Sequence, residues 1–257
     1  MSLRNIRRIF IMTLEATPHR KWGSIGALDA RGFPMKNVHA IHGIDGTEYP
    51  DHDALIKDAV ADGFGFFAEN RDFLEIPVPM AAGTWSACRL LRHIADRRLI
   101  ALLMEDDWIF NIDYDEIQKR LRTVDAEETQ IAALMAKVFY GKSLNRSVEP
   151  INEHWVKGVP GSAAGATIYK PEGARLVLKQ FKAGRARTLE KAVTYIEYPQ
   201  AVTILAPIAR HPALMGYSRA NPKNNRQGYI DAYEKWHRGT TLSEVSDHND
   251  RDRTPSR

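Results

Sequence analysis

Cysteine is nearly absent. Cys88 is the only one in 257 residues, which excludes an intrachain disulfide and a four-cysteine zinc site. No run approaches the roughly 18 apolar residues that a membrane span needs. The basic N-terminal residues 1–8 are followed by a short apolar stretch at 9–12, too brief for a secretory signal core and better read as a first strand. Internal repeats and a flexible linker between two domains are both missing. Residues 161–165 (GSAAG) lack the Lys-Ser/Thr ending of a phosphate-binding P-loop. What remains has 44% hydrophobic and 26% charged residues, ordinary for a globular α/β domain with a sizeable core. The expected compartment is the cytoplasm.

Negative charge is scarce in one region only. Residues 170–239 carry 13 Lys and Arg against 5 Asp and Glu, although the whole chain has a net charge of just +4. Such a surface attracts phosphates, and it equally serves solubility.

The first pattern present is strand, helix, strand: a strand at 8–12, a helix from Pro18 to about Arg31 stopped by Gly32, and a strand at 38–42. That order starts a parallel sheet. Residues 53–61 read as a helix. The GFGFF run at 63–67 and the prolines at 77 and 79 predict a loop crossing the surface. Thr84 is the expected cap of a helix to about Arg98 that buries Trp85, Cys88, Leu91 and Ile94. The apolar residues 100–104 have the length of a central buried strand. A helix is expected over 115–123, a strand over 166–169 and a helix from Pro171 to about Lys182, while 131–140 suits strand or helix. One domain over 1–240 with a disordered polar tail at 241–257 follows from composition.

The strand at 100–104 stops abruptly at Glu105, Asp106 and Asp107. Adjacent acids repel one another and are costly in a buried strand, yet the carboxyl end of a central strand is where α/β sheets bind ligands. Hard oxygen donors there suit Mg²⁺ or Mn²⁺, which needs only one or two carboxylates when phosphates complete its shell. Alternation along an extended segment puts Glu105 and Asp107 on one face. A solvated loop cluster is the bland alternative, and phosphatases and nucleases use such acids too. A two-metal phosphohydrolase is opposed by the lack of a second acid-and-histidine cluster.

The order of features narrows this. A first strand leads to Thr13, Leu14, Glu15 and Arg20; next come the turn AIHGIDG at 40–46, a helix with Gly83 and Ser86, the acidic strand, and KPEGARLVL at 170–178. The series resembles the family 25 glycosyltransferases, of lipopolysaccharide and collagen type, with their "INLxR…R", "A(V/I)DG", "GxxGCxxSH" and "(I/L)xEDD" segments and a later "GA" helix. It spans roughly residues 8–220. The serine–histidine pair is missing from GTWSACR at 83–89, and the turn is extended; these departures bear on acceptor and donor sugar.

The resemblance implies a GT-A fold, an α/β domain with a mixed, mainly parallel central sheet flanked by helices. It implies inverting transfer from a nucleotide-sugar, UDP-sugar favoured, to a hydroxyl acceptor with Mn²⁺ or Mg²⁺. On the matching positions, Thr13, Leu14 and Glu15 would lie near the nucleoside, Arg20 would meet the nucleotide or its phosphates, and Asp45 and Gly46 would form the nucleoside turn. Glu105 and Asp107 would hold the metal, with Asp107 the direct ligand and Asp106 beside the nucleotide. Glu190 is the first candidate base, with Glu197 and Glu153 in reserve. The acceptor is expected to be a glycan of lipopolysaccharide type. Hydroxymethylated bases of viral DNA and a non-catalytic module on a decayed fold are the alternatives. Cys88 reads as core, Trp155 and Tyr169 as packed aromatics rather than sugar platforms, and His39 and His42 as too few for zinc. Arg219, Lys223 and Arg226 are candidates to close over a diphosphate.

Overall fold

The computed structural model describes residues 1–134, 149–159 and 165–204, with the short strands at 138–139, 142–143, 146–147 and 209–210. The expectations for 161–164, for 215–226 and for the tail at 241–257 lie outside the described residues.

Alternate residues of the first strand face opposite ways, and both faces are apolar. Ile9 and Ile11 enter one core and Phe10 the other, as in a strand covered on both sides. In chain order the elements begin with β1 (Arg8–Thr13), α1 (Pro18–Ala30), β2 (Val38–His42), α2 (His52–Ala61), α3 (Phe66–Glu69), α4 (Val78–Asp96), β3 (Ala101–Glu105) and β4 (Ile109–Phe110). They continue with α5 (Tyr114–Leu121), β5 (Ile131–Ala133), β6 (Val138–Phe139), β7 (Lys142–Ser143), β8 (Arg146–Ser147) and β9 (Trp155–Lys157). Last come β10 (Ala166–Tyr169), α6 (Pro171–Lys182), α7 (Leu189–Thr194), β11 (Ala201–Ile204) and β12 (Ala209–Arg210).

The main sheet has the order β2-β1-β3-β10-β5-β11-β9. Strands β2, β1, β3, β5 and β11 run one way, and β10 and β9 run against them. This is the expected mixed, mainly parallel sheet. Helices α2, α4, α6 and α7 cover the face of Phe10 and Leu103, while α1 and α5 cover that of Ile11 and Leu102. Helix α4 is the main cover: Leu91 and Ile94 are fully buried, each contributing about 1.5–3 kcal/mol.

Two expectations need correction. Residues 63–73 do not form a surface loop, because Phe64, Phe66, Phe67 and Phe73 are buried and Phe66 and Phe73 stack on Phe181 of α6. Thr84 does not begin a helix. Helix α4 starts at Val78 with Pro79 in its first turn, where a missing N–H is harmless, and the Thr84 hydroxyl donates to the Met80 carbonyl inside it. Within 131–140, read as strand or helix, 131–133 form strand β5 between β10 and β11 in the buried sheet and 138–139 form the short strand β6.

Topology then fixes where a site can be. The chain leaves β1 for β2 on one side and reaches β3 on the other, all parallel, so a crevice opens at their carboxyl ends.

Candidate active site

Backbone hydrogen bonds knit that edge together. The Asp106 N–H donates to the Met12 carbonyl at 3.0 Å, and the Gly43 N–H donates to the Thr13 carbonyl at 2.7 Å. The acids therefore continue from β3 across the end of β1. A cavity of about 320 Å³ lies there, with Thr13 from the end of β1, Leu14 just beyond it, and Asp45 and Gly46 from the loop after β2. Arg20 reaches it from α1, Glu105, Asp106 and Asp107 from the end of β3, and Thr188 and Glu190 from the start of α7. Segments far apart in sequence thus converge on one crevice. Glu15 does not join them; it is exposed on the turn before α1 and does not line the cavity. Glu153 and Glu197 are likewise exposed and outside the lining.

The loop after β2 is held against α4 by contacts that sequence reading missed. Ser86 Oγ accepts from the Ile44 N–H at 2.7 Å and donates to the Ala82 carbonyl at 2.9 Å. A Cβ on Gly46 would stand 2.4 Å from the Cα of Pro79, so the loop seats only because this position has no side chain. Asp45 Oδ1 accepts from the Thr47 N–H at 3.0 Å and its hydroxyl at 2.7 Å, shaping the turn. Pro79 was legible only as a breaker, and Ser86 only as a motif letter.

The acids are crowded around one cation. Arg20 Nη2 stands 2.8 Å from Asp106 Oδ1 and 2.7 Å from Asp107 Oδ2, with all three side chains largely buried. Ser24 Oγ of the same helix donates to the Asp106 carbonyl at 2.7 Å, and Trp108 Nε1 donates to Glu105 Oε2 at 3.2 Å. Burial pushes the Glu105 carboxyl well above its ordinary range, and the charges of Asp107 and Glu190 push it further. Burial also raises Asp106, against the pull of Arg20. Among the described residues lining the cavity, Asp45, Glu105, Asp106, Asp107 and Glu190 face a single cation, Arg20.

The described residues contain no group of three or more His, Cys, Asp or Glu arranged to hold a metal alone. The donors present are hard carboxylate oxygens, with Glu105 and Asp107 both lining the cavity. They fit a Mg²⁺ or Mn²⁺ shared with substrate phosphates, and they do not fit a closed protein cage.

Other sequence-level readings find their places. Trp155 is fully buried and its indole N–H donates to the Arg120 carbonyl at 3.0 Å, and Tyr169 is fully buried in the core. Neither lines the cavity. Cys88 is buried on α4, where burial pushes its thiol far up. No helix among the described residues is long and apolar enough to cross a membrane.

Fold and site together define an α/β protein with a carboxylate-lined crevice at the switch point of a mixed sheet. No protein-family model and no curated protein sequence matches the chain. Solved structures with a similar chain course include the glycosyltransferase GlyE of Streptococcus pneumoniae TIGR4, with TM-score 0.41 and 10% identity over 77% of this chain. The match covers 45% of GlyE, so this chain spans less than half of its length. An active-site mutant of LgtC has TM-score 0.40 and 11% identity, covering 76% of this chain and 71% of that one. Mouse xyloside xylosyltransferase 1 in apo form has TM-score 0.36 and 8% identity, covering 73% and 80%. Similarity of this degree assigns neither activity nor substrate.

Proposed function

We propose that the chain is a metal-dependent glycosyltransferase of GT-A type, akin to family 25, that transfers a sugar from a nucleotide-sugar to a hydroxyl acceptor with inversion. One observation carries the reading: among the described residues, five carboxylates and one guanidinium line a crevice at the carboxyl edge of β1–β3. A diphosphate entering such a lining meets more acid than base, an imbalance that a divalent cation held there would offset. Glu105 and Asp107 would hold Mn²⁺ or Mg²⁺, which when bound stabilises the charge developing on the departing nucleoside diphosphate.

The remaining work falls to the chain itself. Thr13, Leu14, Asp45 and Gly46 form the wall suited to the nucleoside, a UDP moiety favoured. Asp106, locked to Met12 and Ser24, keeps the acidic turn in register. Glu190, at the cavity rim on the first turn of α7, accepts the proton of the acceptor hydroxyl as it attacks the sugar. The displacement is single, which gives inversion. Glu190→Gln is expected to lower turnover about 10²–10⁴-fold with nucleotide affinity unchanged, as steady-state kinetics beside calorimetric binding will show. Equal turnover in the variant removes Glu190 as base.

The acceptor best matching the resemblance is a glycan of lipopolysaccharide type. Hydroxymethylated DNA is a second reading, favoured by the exposed Lys182, Arg185, Arg187 and Lys191 on both sides of Thr188 and Glu190 in sequence.

A further inference from the structure

We propose that Arg20 is a resident counter-ion of the cation site, which must give up Asp107 before that carboxylate can ligate a divalent ion. This rests on the reading of Glu105 and Asp107 as the metal-holding pair.

The geometry sets up a competition. One nitrogen, Nη2, contacts both Asp106 and Asp107, at 2.8 and 2.7 Å. Arg20 is 6% exposed, so the guanidinium sits among the carboxylates and not at the rim. A divalent ion near Asp107 Oδ2 would face a fixed positive charge at hydrogen-bonding distance. On either oxygen of Asp107 the ion would stand close to the guanidinium that holds Oδ2, and like charges at that range in a partly buried site repel strongly.

Without Arg20 the cavity would carry five carboxylates and no cation among its described lining. Its pairing therefore lowers the cost of folding around the acids. Ser24, one turn further along α1, fastens that helix to the Asp106 carbonyl, so α1 and the acidic turn stay together if the side chain swings. A guanidinium released from Asp107 can keep Asp106 and turn its remaining N–H donors to phosphate oxygens, a geometry that suits it. Arg20 thereby couples two binding events. A divalent ion alone must displace it without recompense, whereas an ion arriving with a diphosphate offers it a new partner. Coupling of this kind is reciprocal, so each ligand raises the affinity of the other.

The test is Mn²⁺ binding to the full chain, read by electron paramagnetic resonance of free Mn²⁺, with Mn²⁺ alone and with UDP or GDP. In the unaltered chain, a nucleoside diphosphate is expected to tighten Mn²⁺ binding by about tenfold or more, the size of ordinary coupling. Arg20→Met is expected to tighten binding of Mn²⁺ alone several-fold and to shrink the nucleotide effect. Lys21→Met removes a neighbouring charge without touching the acids and is expected to change neither. Arg20→Lys, which keeps the charge for folding but loses the fork, is expected to fall between the unaltered chain and Arg20→Met.

If the unaltered chain couples Mn²⁺ to nucleotide and Arg20→Met and Arg20→Lys both couple them equally, the counter-ion role is overturned and the proposed function stands. The role is also overturned if Lys21→Met tightens Mn²⁺ as much as Arg20→Met, since the general field then explains it. If neither the unaltered chain nor any variant binds Mn²⁺ with either nucleotide, both proposals fall. Mn²⁺ binding by Arg20→Met alone would uphold the counter-ion and contradict metal dependence of the unaltered protein.

Discussion

Glu105 is the residue on which stability and function pull apart. Burial, Asp107 and Glu190 all oppose its ionisation, while metal holding requires the charge. Glu105→Gln keeps the shape and removes the repulsion. The ligand-free protein is expected to gain on the order of 1 kcal/mol, about 2–4 °C in melting temperature for a chain this size. Calorimetry in chelator measures this, and the same variant should lose Mn²⁺-dependent nucleotide binding. A lower melting temperature would mean that the charge assistance Glu105 gives its hydrogen bond from Trp108, which a glutamine oxygen accepts more weakly, outweighs the repulsion.

Among the elements, the loop after β2 and helix α4 act as one piece. Gly46→Ala would set a Cβ against the Pro79 backbone at 2.4 Å, and neither side is a flexible side chain able to yield. The expected loss is about 1–3 kcal/mol, with weaker nucleotide binding as the Asp45 turn lifts; chemical denaturation and calorimetric titration read the two effects. Unchanged stability would show that the loop is not clamped. The AIHGIDG turn was legible as a loop, but its partner was not. Its clamp joins Gly46 to Pro79 and Ile44 to Ser86, pairs that local periodicity cannot reveal. The same limit explains residues 63–73, where phenylalanines beside Gly look like a loop until Phe181 supplies their packing. Strands β1, β2, β3 and β10 were readable because their apolar runs end at clear polar breaks. Strands β9 and β11 were not singled out: three residues give β9 too little pattern, and the apolar run of β11 continues in sequence past Ile204 with no polar break. The acids announced their site because nothing else ends a buried strand so sharply. Glu190 came from resemblance alone, and it is α7 that brings it to the cavity.

At the scale of the whole chain, charge is unevenly distributed along the sequence. Acids crowd the crevice, while residues 170–239 hold an excess of Lys and Arg. Of that segment, the exposed Lys182, Arg185, Arg187 and Lys191 flank Glu190 in sequence, cations that suit a polyanionic acceptor. If the acceptor is DNA, affinity should fall linearly with salt on logarithmic axes, at a slope of about −0.9 per phosphate neutralised. Fluorescence anisotropy with an unmodified duplex checks this, and absence of binding at low salt leaves the glycan reading.

The most direct measurement is a thermal-shift panel of nucleoside diphosphates and nucleotide sugars, each with Mn²⁺ and with chelator, on the unaltered protein and on Asp107→Asn. The expected result is stabilisation by one nucleotide class that needs Mn²⁺, about 2.7 kcal/mol at a hundredfold excess over the dissociation constant, and that vanishes in the variant. Stabilisation that survives chelator, or that Asp107→Asn retains in full, would contradict metal-dependent binding at this crevice. No shift with any nucleotide would move the decayed binding module to first place.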